Sequence, residues 1–274
     1  MSMKKSIWMT GLTIITACCV VGGTFHYYGI FGFRDGFRFG AGRMASADSD
    51  LDAFDAIRVD ADTMDLTIET GERFFLSSQY TDTLKLEYEV KDGTLSVKER
   101  TPKRALWGGL RSEQCSMTLT IPEGTELNFM DIKIAMGNIS AEKITSKDCD
   151  ALTNMGNCIF KKCSFDEADI DTNMGEITIK DTYLGEAEVD NDMGAIKVED
   201  CTFQNLDVDN AMGDTVIDAD QNLDDYQIGL EAGMGEVRVN GQGEGTKYRQ
   251  SGSAGKLEAS TSMGSVRLSY RNEE

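Results

Sequence analysis

The sequence predicts an all-β protein: a parallel β-solenoid, or single-stranded β-helix, of roughly 19-residue turns with an N-terminal β cap, preceded by one transmembrane helix. Three observations carry that expectation. A Met-Gly pair recurs every 19 residues at Met136, Met155, Met174, Met193 and Met212, then more loosely at Met234 and Met263. Inside each unit apolar residues alternate with polar ones. Ahead of the repeats lies an apolar run without formal charge. A fixed period near 20 residues marks an architecture of stacked turns, in which each unit covers the next.

The repeat unit reads as three short strands. Ile177 and Ile179, or Ile196 and Val198, open a unit with period two and β-branched side chains, which predicts a strand with one buried face. Cys163 and Phe165, Thr182 and Leu184, and Cys201 and Phe203 form a second inward set, and Ala168 and Ile170, Ala187 and Val189, and Leu206 and Val208 a third. Glycine suits the corner between units because it takes positive φ at little cost. Methionine, unbranched and adaptable, is expected to pack inside that corner as core. The alternative is a thioether ladder for a soft metal such as Cu(I). Packing is preferred, because nothing pairs these residues with His or a second thiol.

The outward positions are acidic. Asp150, Asp169, Glu188 and Asp207 fall in one column, and Asp171, Asp190 and Asp209 in the next. Residues 137–234 hold 23 acidic and 6 basic residues, so −17 of the chain's −20 lies there. Stacked like charges repel and call for counter-ions or a cationic partner. The first reading is a solvated, aggregation-resistant face. Asp171, Asp190 and Asp209 are the calcium candidates, since they crowd hard oxygen ligands, although no EF-hand or glycine-rich nonapeptide loop accompanies them. No other cofactor is expected.

Taken in order, residues 1–33 read as an N-terminal membrane anchor. Lys4 and Lys5 precede Ile7–Phe25, nineteen residues without charge, and Tyr27, Tyr28, Phe31 and Phe33 resemble an interfacial belt. A cleaved signal peptide is disfavoured for want of a small-x-small site. Ile15-Thr16-Ala17-Cys18 resembles a lipobox, which would leave Cys18 lipidated; the uncleaved anchor is preferred because apolar residues continue past it. Arg34, Arg38 and Arg43 crowd the far side, so the flanking charges do not fix orientation. Residues 34–50 read as a linker.

Residues 51–135 are expected to form the N-terminal β cap and first irregular turns, and 136–274 the repeat solenoid. Leu84, Leu86, Tyr88 and Val90 alternate up to Asp92-Gly93, a hairpin signal, and Leu95 and Val97 follow. Lys103, Arg104, Trp107 and Arg111 fall on a loop; they are the candidates for partner or headgroup contact, against the alternative of a tryptophan folded over the core edge. Cys163 and Cys201 are two turns, about 9.6 Å, apart, too far for a disulfide, and read as small buried hydrophobes.

Catalysis has little support. The only histidine, His26, lies in the anchor, so no Ser-His or Cys-His pair exists in the domain. There is no Cys-x-x-Cys, phosphate-cradling loop or dinucleotide fingerprint. The regular turns lack the long loops that wall a cleft in β-helical lyases. Nucleic acid is excluded as a partner by the net charge.

FDAIRVDADTMDLTIETG, KDGTLSVKER, MTLTIPEGTELNFMDIKIAMGNIS and the run of Met-Gly-x-Ile/Val turns, together about residues 52 to 270, resemble the putative-adhesin (toastrack) family of bacterial β-strand-repeat envelope proteins, a domain of unknown function. The resemblance implies an extracytoplasmic β-solenoid without an established catalytic site. The expected function is that of a single-pass, membrane-anchored scaffold at the cell membrane, adhesin-like and not an enzyme, binding an envelope protein or cell-wall polymer. The alternative is an accessory of a cell-envelope stress-sensing system acting through a membrane partner.

Overall fold

The computed structural model describes residues 44–81, 84–100 and 115–271. The predicted alternation becomes a stack of parallel turns, but each turn has two strands rather than three. A short strand such as Cys158–Lys161 or Ile177–Lys180 lies in one sheet, and an eleven-residue strand such as Ser164–Met174 or Tyr183–Met193 lies in the other. The expected second and third strands are one. Asp166 and Glu167 both face outward, so the inward phase slips between Phe165 and Ala168 while pairing to the next turn continues. In sequence that slip looks like a corner.

Two corners alternate around the stack. At the Met-Gly corner the glycine N–H donates to the methionine carbonyl of the next turn, Gly156 to Met174 at 3.0 Å and Gly194 to Met212 at 2.9 Å. The glycine carbonyl is held from inside: Thr153 and Thr172 donate hydroxyls to Gly137 and Gly156, and Asn191 and Asn210 donate amides to Gly175 and Gly194, at 3.0–3.2 Å. Side chains also hold the next turn in step: Asn138 accepts from the N–H of Asn157, and Asn157 from that of Glu176. The second corner uses left-handed residues Lys143, Lys162, Asp181 and Asp200, at φ 52 to 59°. The residue after it caps a carbonyl: Thr182 donates to Lys180 at 2.8 Å, and Cys163 and Cys201 donate their thiols to Lys161 and Glu199 at 3.3 and 3.2 Å.

The methionines are not core, which corrects the expectation. Met136, Met155, Met174, Met193, Met212 and Met263 are 38–44% exposed and Met234 is 66% exposed. Period two, extended past Ala168, Ile170 and Thr172, would carry Met174 inward. The chain instead turns after Thr172, whose hydroxyl reaches Gly156, and leaves Met174 on the outside of the bend.

Turns do not stack in sequence order. The strand pair Ala56–Thr63 and Asp65–Gly71 inserts between Thr94–Arg100 with Cys115–Pro122 and Glu126–Met136 with Ile139–Glu142. At the other end Gly255–Met263 and Val266–Tyr270 insert between the turn of residues 202–219 and that of Tyr226–Met234 with Val237–Val239. Antiparallel strands close both ends. Lys85–Lys91 covers Thr94–Arg100 through the Asp92-Gly93 turn, and Lys247–Gln250 covers Tyr226–Met234. Charged edges of this kind discourage further pairing.

The interior is a column of apolar side chains, among them Ile170, Ile177, Val189, Ile196 and Val208, all fully buried, with Phe160 and Phe165 edge to face at 5.6 Å. Each such aliphatic side chain contributes about 1.5–3 kcal/mol on burial. Cys115, Cys149, Cys158, Cys163 and Cys201 are free and buried, as expected for Cys163 and Cys201.

The expected transmembrane helix is corrected as well. The described residues are all-β, and no helix among them is long and apolar enough to cross a membrane. Residues 7–25, which prompted that expectation, lie outside the described residues.

Candidate functional site

The long strands align their outward side chains into columns on one sheet. Asp150, Asp169, Glu188, Asp207 and Glu258 are in register, and beside them Asp171, Asp190, Asp209 and Ser260. The columns are neutralised only at their ends. Arg58 and Lys133 reach Asp131 at 3.1 and 2.8 Å, Lys133 reaches Asp150 at 3.3 Å, and Lys256 reaches Glu258 at 3.2 Å. Between them, among the described residues, no salt bridge touches Asp169, Asp171, Glu188, Asp190 or Asp209.

That crowding shows in the carboxyls. Partial burial, then the charges of Glu188, Asp209, Asp171 and Asp169, push Asp190 up to about 6. Asp169, Asp171 and Asp207 are raised for the same two reasons, burial first. Two shallow depressions follow the columns: one of about 430 Å³ is lined by Glu167, Asp169, Glu188 and Asp207, and one of about 380 Å³ by Asp171, Asp190, Asp209 and Ser260. Ser260 donates to Asp209 at 2.5 Å.

The structure therefore brings the three calcium candidates into one line. It does not fold them around a point: among the described residues no three His, Cys, Asp or Glu side chains group closely enough to hold a metal ion. Strand register spaces them about 4.8 Å apart along the stack instead of converging them. Lys103, Arg104, Trp107 and Arg111 lie outside the described residues.

The methionine row is the feature that alternation alone puts on the wrong side. The seven are paired in one continuous line, Met136, Met155, Met174, Met193, Met212, Met263, Met234, three residues along the strands from the Asp171, Asp190 and Asp209 column. The inward Thr or Asn two residues ahead of Met155, Met174, Met193, Met212 and Met263 is the available signal that the chain turns before them.

No histidine lies among the described residues. The buried thiols are poor nucleophiles, since burial pushes Cys158 and Cys201 up to about 12.

These features define a β-solenoid that presents columns of repeated side chains. Residues 54–274 match the model of the Toastrack DUF4097 family, and the chain belongs to that family. Its fold is shared with a protein from Bacteroides fragilis described as a putative adhesin, at 12% identity and a TM-score of 0.50 over 84% of this chain and 97% of that one. A putative adhesin from Parabacteroides merdae is similar at 15% identity and a TM-score of 0.45, covering 84% and 97% of the two chains. A protein from Parabacteroides distasonis described as a putative lipid binding protein is similar at 18% identity and a TM-score of 0.44, covering 84% and 98%. None of these is described as an enzyme. No curated protein matches the sequence.

Proposed function

We infer that this chain is a non-catalytic, adhesin-like binding scaffold, displayed outside the cytoplasm, whose acidic sheet face engages a cationic partner in the cell envelope. The observation that carries the reading is the uncompensated stack of Asp169, Glu188 and Asp207 beside Asp171, Asp190 and Asp209. A solenoid needs only its inward residues to fold. An outer face kept uniformly acidic costs stability through self-repulsion, and a cation-bearing ligand relieves it. The candidate partner is a basic envelope protein segment or an amine-bearing cell-wall polymer.

The test is capture from envelope extract by the full chain, against a variant carrying Asp169→Asn, Asp190→Asn and Asp209→Asn. Capture should fall at least tenfold in the variant and weaken as salt shortens the screening length from about 10 Å at 0.1 M to about 3 Å at 1 M. Equal, salt-independent capture by both proteins, or release of a cleaved product, would reject the reading. Digestion of the domain by protease added to intact protoplasts checks the placement.

A further inference from the structure

The exposed methionine row is not accounted for by folding or by the acidic face. Seven apolar side chains lined up in water are what a soluble surface ordinarily avoids. The corner does not require them: Thr63 holds the same register position against Met136 in the adjoining turn, and the corner carbonyls are secured from inside by Thr and Asn. Simple copying of a unit does not explain them either. The preceding residue has drifted through Ala135, Asn154, Asp192, Ala211 and Ser262, and the spacing has widened to 22 and 29 residues before Met234 and Met263, yet methionine stays at every one of these turns. Only the glycine beside it is as constant, and the glycine has a steric reason.

Thioether sulfur is a soft, uncharged donor that selects soft cations. Adjacent turns are about 4.8 Å apart. An ion about 2.3 Å from each of two sulfurs, the metal–sulfur length of a zinc thiolate site, spans sulfurs about 4.6 Å apart. The stacking repeat therefore already matches a bridging ion, and three rotatable bonds per methionine absorb the remainder. Charge favours a cation too. The positions on either side of the Met-Gly pairs carry no Lys or Arg, while Glu176, Asp192 and Asp214 are among them. Among the described residues no group of three or more His, Cys, Asp or Glu could hold a metal ion instead.

We propose that this ridge is a binding site for a soft monovalent cation, Cu(I), held by the thioethers of methionines from two or three adjacent turns. The site is independent of the acidic-face partner, and the repeated spacing gives it more than one equivalent position along the ridge.

The experiment titrates the full-length protein with Ag(I) in air and Cu(I) without oxygen, against a chromophoric Cu(I) chelator. The comparison is a variant carrying Met155→Leu, Met193→Leu and Met263→Leu, which leaves no two adjacent turns of the ridge with methionine, and Met193→Leu alone is a milder second variant; leucine keeps the apolar cover, and melting temperature checks the fold. Wild type should bind at least one equivalent with a sulfur-only first shell by X-ray absorption, unmoved by excess Ca²⁺. The triple variant should bind at least tenfold more weakly, and the single variant should fall between. Absence of saturable binding in wild type, or equal binding in the triple variant, as the buried thiols would give, overturns the proposal.

Discussion

Gly175 and Gly194 show how closely one residue can be specified. Each has positive φ, 159° and 142°, and a Cβ at either would lie 1.8 and 1.7 Å from the carbonyl oxygen of the glycine one turn earlier. The obstacle is backbone, which cannot swing aside as a side chain would. Gly175→Ala should therefore cost more than about 2 kcal/mol in urea unfolding, and Gly175→Val more still. Its neighbour behaves in the opposite way: Met174→Leu, on the exposed side of the bend, should stay within about 0.5 kcal/mol. A reversed order would mean the corner is turned the other way.

The same logic sorts the cysteines. Thr182 stands where Cys163 and Cys201 stand in neighbouring turns and makes the same carbonyl cap. Cys201→Thr should be nearly neutral, whereas Cys201→Val should cost about 0.5–1.5 kcal/mol, because the Glu199 carbonyl keeps the Asp181 N–H but loses its side-chain donor. Chemical unfolding of the two variants separates a capping thiol from one that merely fills space.

At the level of the strand, the acidic columns set the response to pH. Asp190 is at about 6 against an ordinary value of 3.8, so the folded protein holds that proton more tightly than the unfolded chain. Protonation therefore favours folding: the contribution is fully present below about pH 3.8 and is lost as pH rises through about 6. Glu176, held below the usual range by a hydrogen bond from Lys197, works the other way but only at lower pH. Melting temperature should thus be higher at about pH 5 than at about pH 7.5. Asp190→Asn should raise it at the higher pH and flatten the slope; a wild-type profile that falls on acidification between those values contradicts this. Calcium and sodium at matched ionic strength should act alike, and a saturable calcium shift lost in Asp190→Asn with Asp209→Asn would contradict that too.

Strands are also where the sequence was most readable and where it misled. Alternation alone points Ile177, Ile179, Val189 and Val208 inward, and the 19-residue period alone lines up the acidic columns, because both depend on strand geometry. Alternation puts Met174 on the wrong side because it carries no information about where a chain bends. The Asp166-Glu167 phase slip read as a corner for the same reason: two outward residues in succession look alike whether the strand bulges or ends.

For the whole molecule, stacking order is the feature that alternation could not reveal. Residues 255–270 pair on both sides with turns that precede them in sequence, so the C-terminal strands are an inner layer. Nothing in their composition distinguishes an inner turn from a last one. Trimming an ordinary solenoid end removes one layer; deleting residues 252–274 here removes the support for Tyr226–Met234 as well. Hydrogen exchange should show amides of residues 226–234 losing protection in that deletion, while those of Ser164–Met174 keep theirs. Retained protection at both places would mean that the outer turn stands without its inner neighbour.

The most direct measurement is the order in which methionines oxidise, because a two-sheet stack of parallel turns places its repeated columns outward. Brief mild peroxide treatment of the folded protein, followed by peptide mass spectrometry, reads sulfoxide at each position. Met136, Met155, Met174, Met193, Met212, Met234 and Met263 should oxidise together and early, while Met64, Met117 and Met130, which are at most 1% exposed, should oxidise only on unfolding. Early oxidation of Met64, Met117 or Met130, or protection of the ridge methionines, would contradict the architecture.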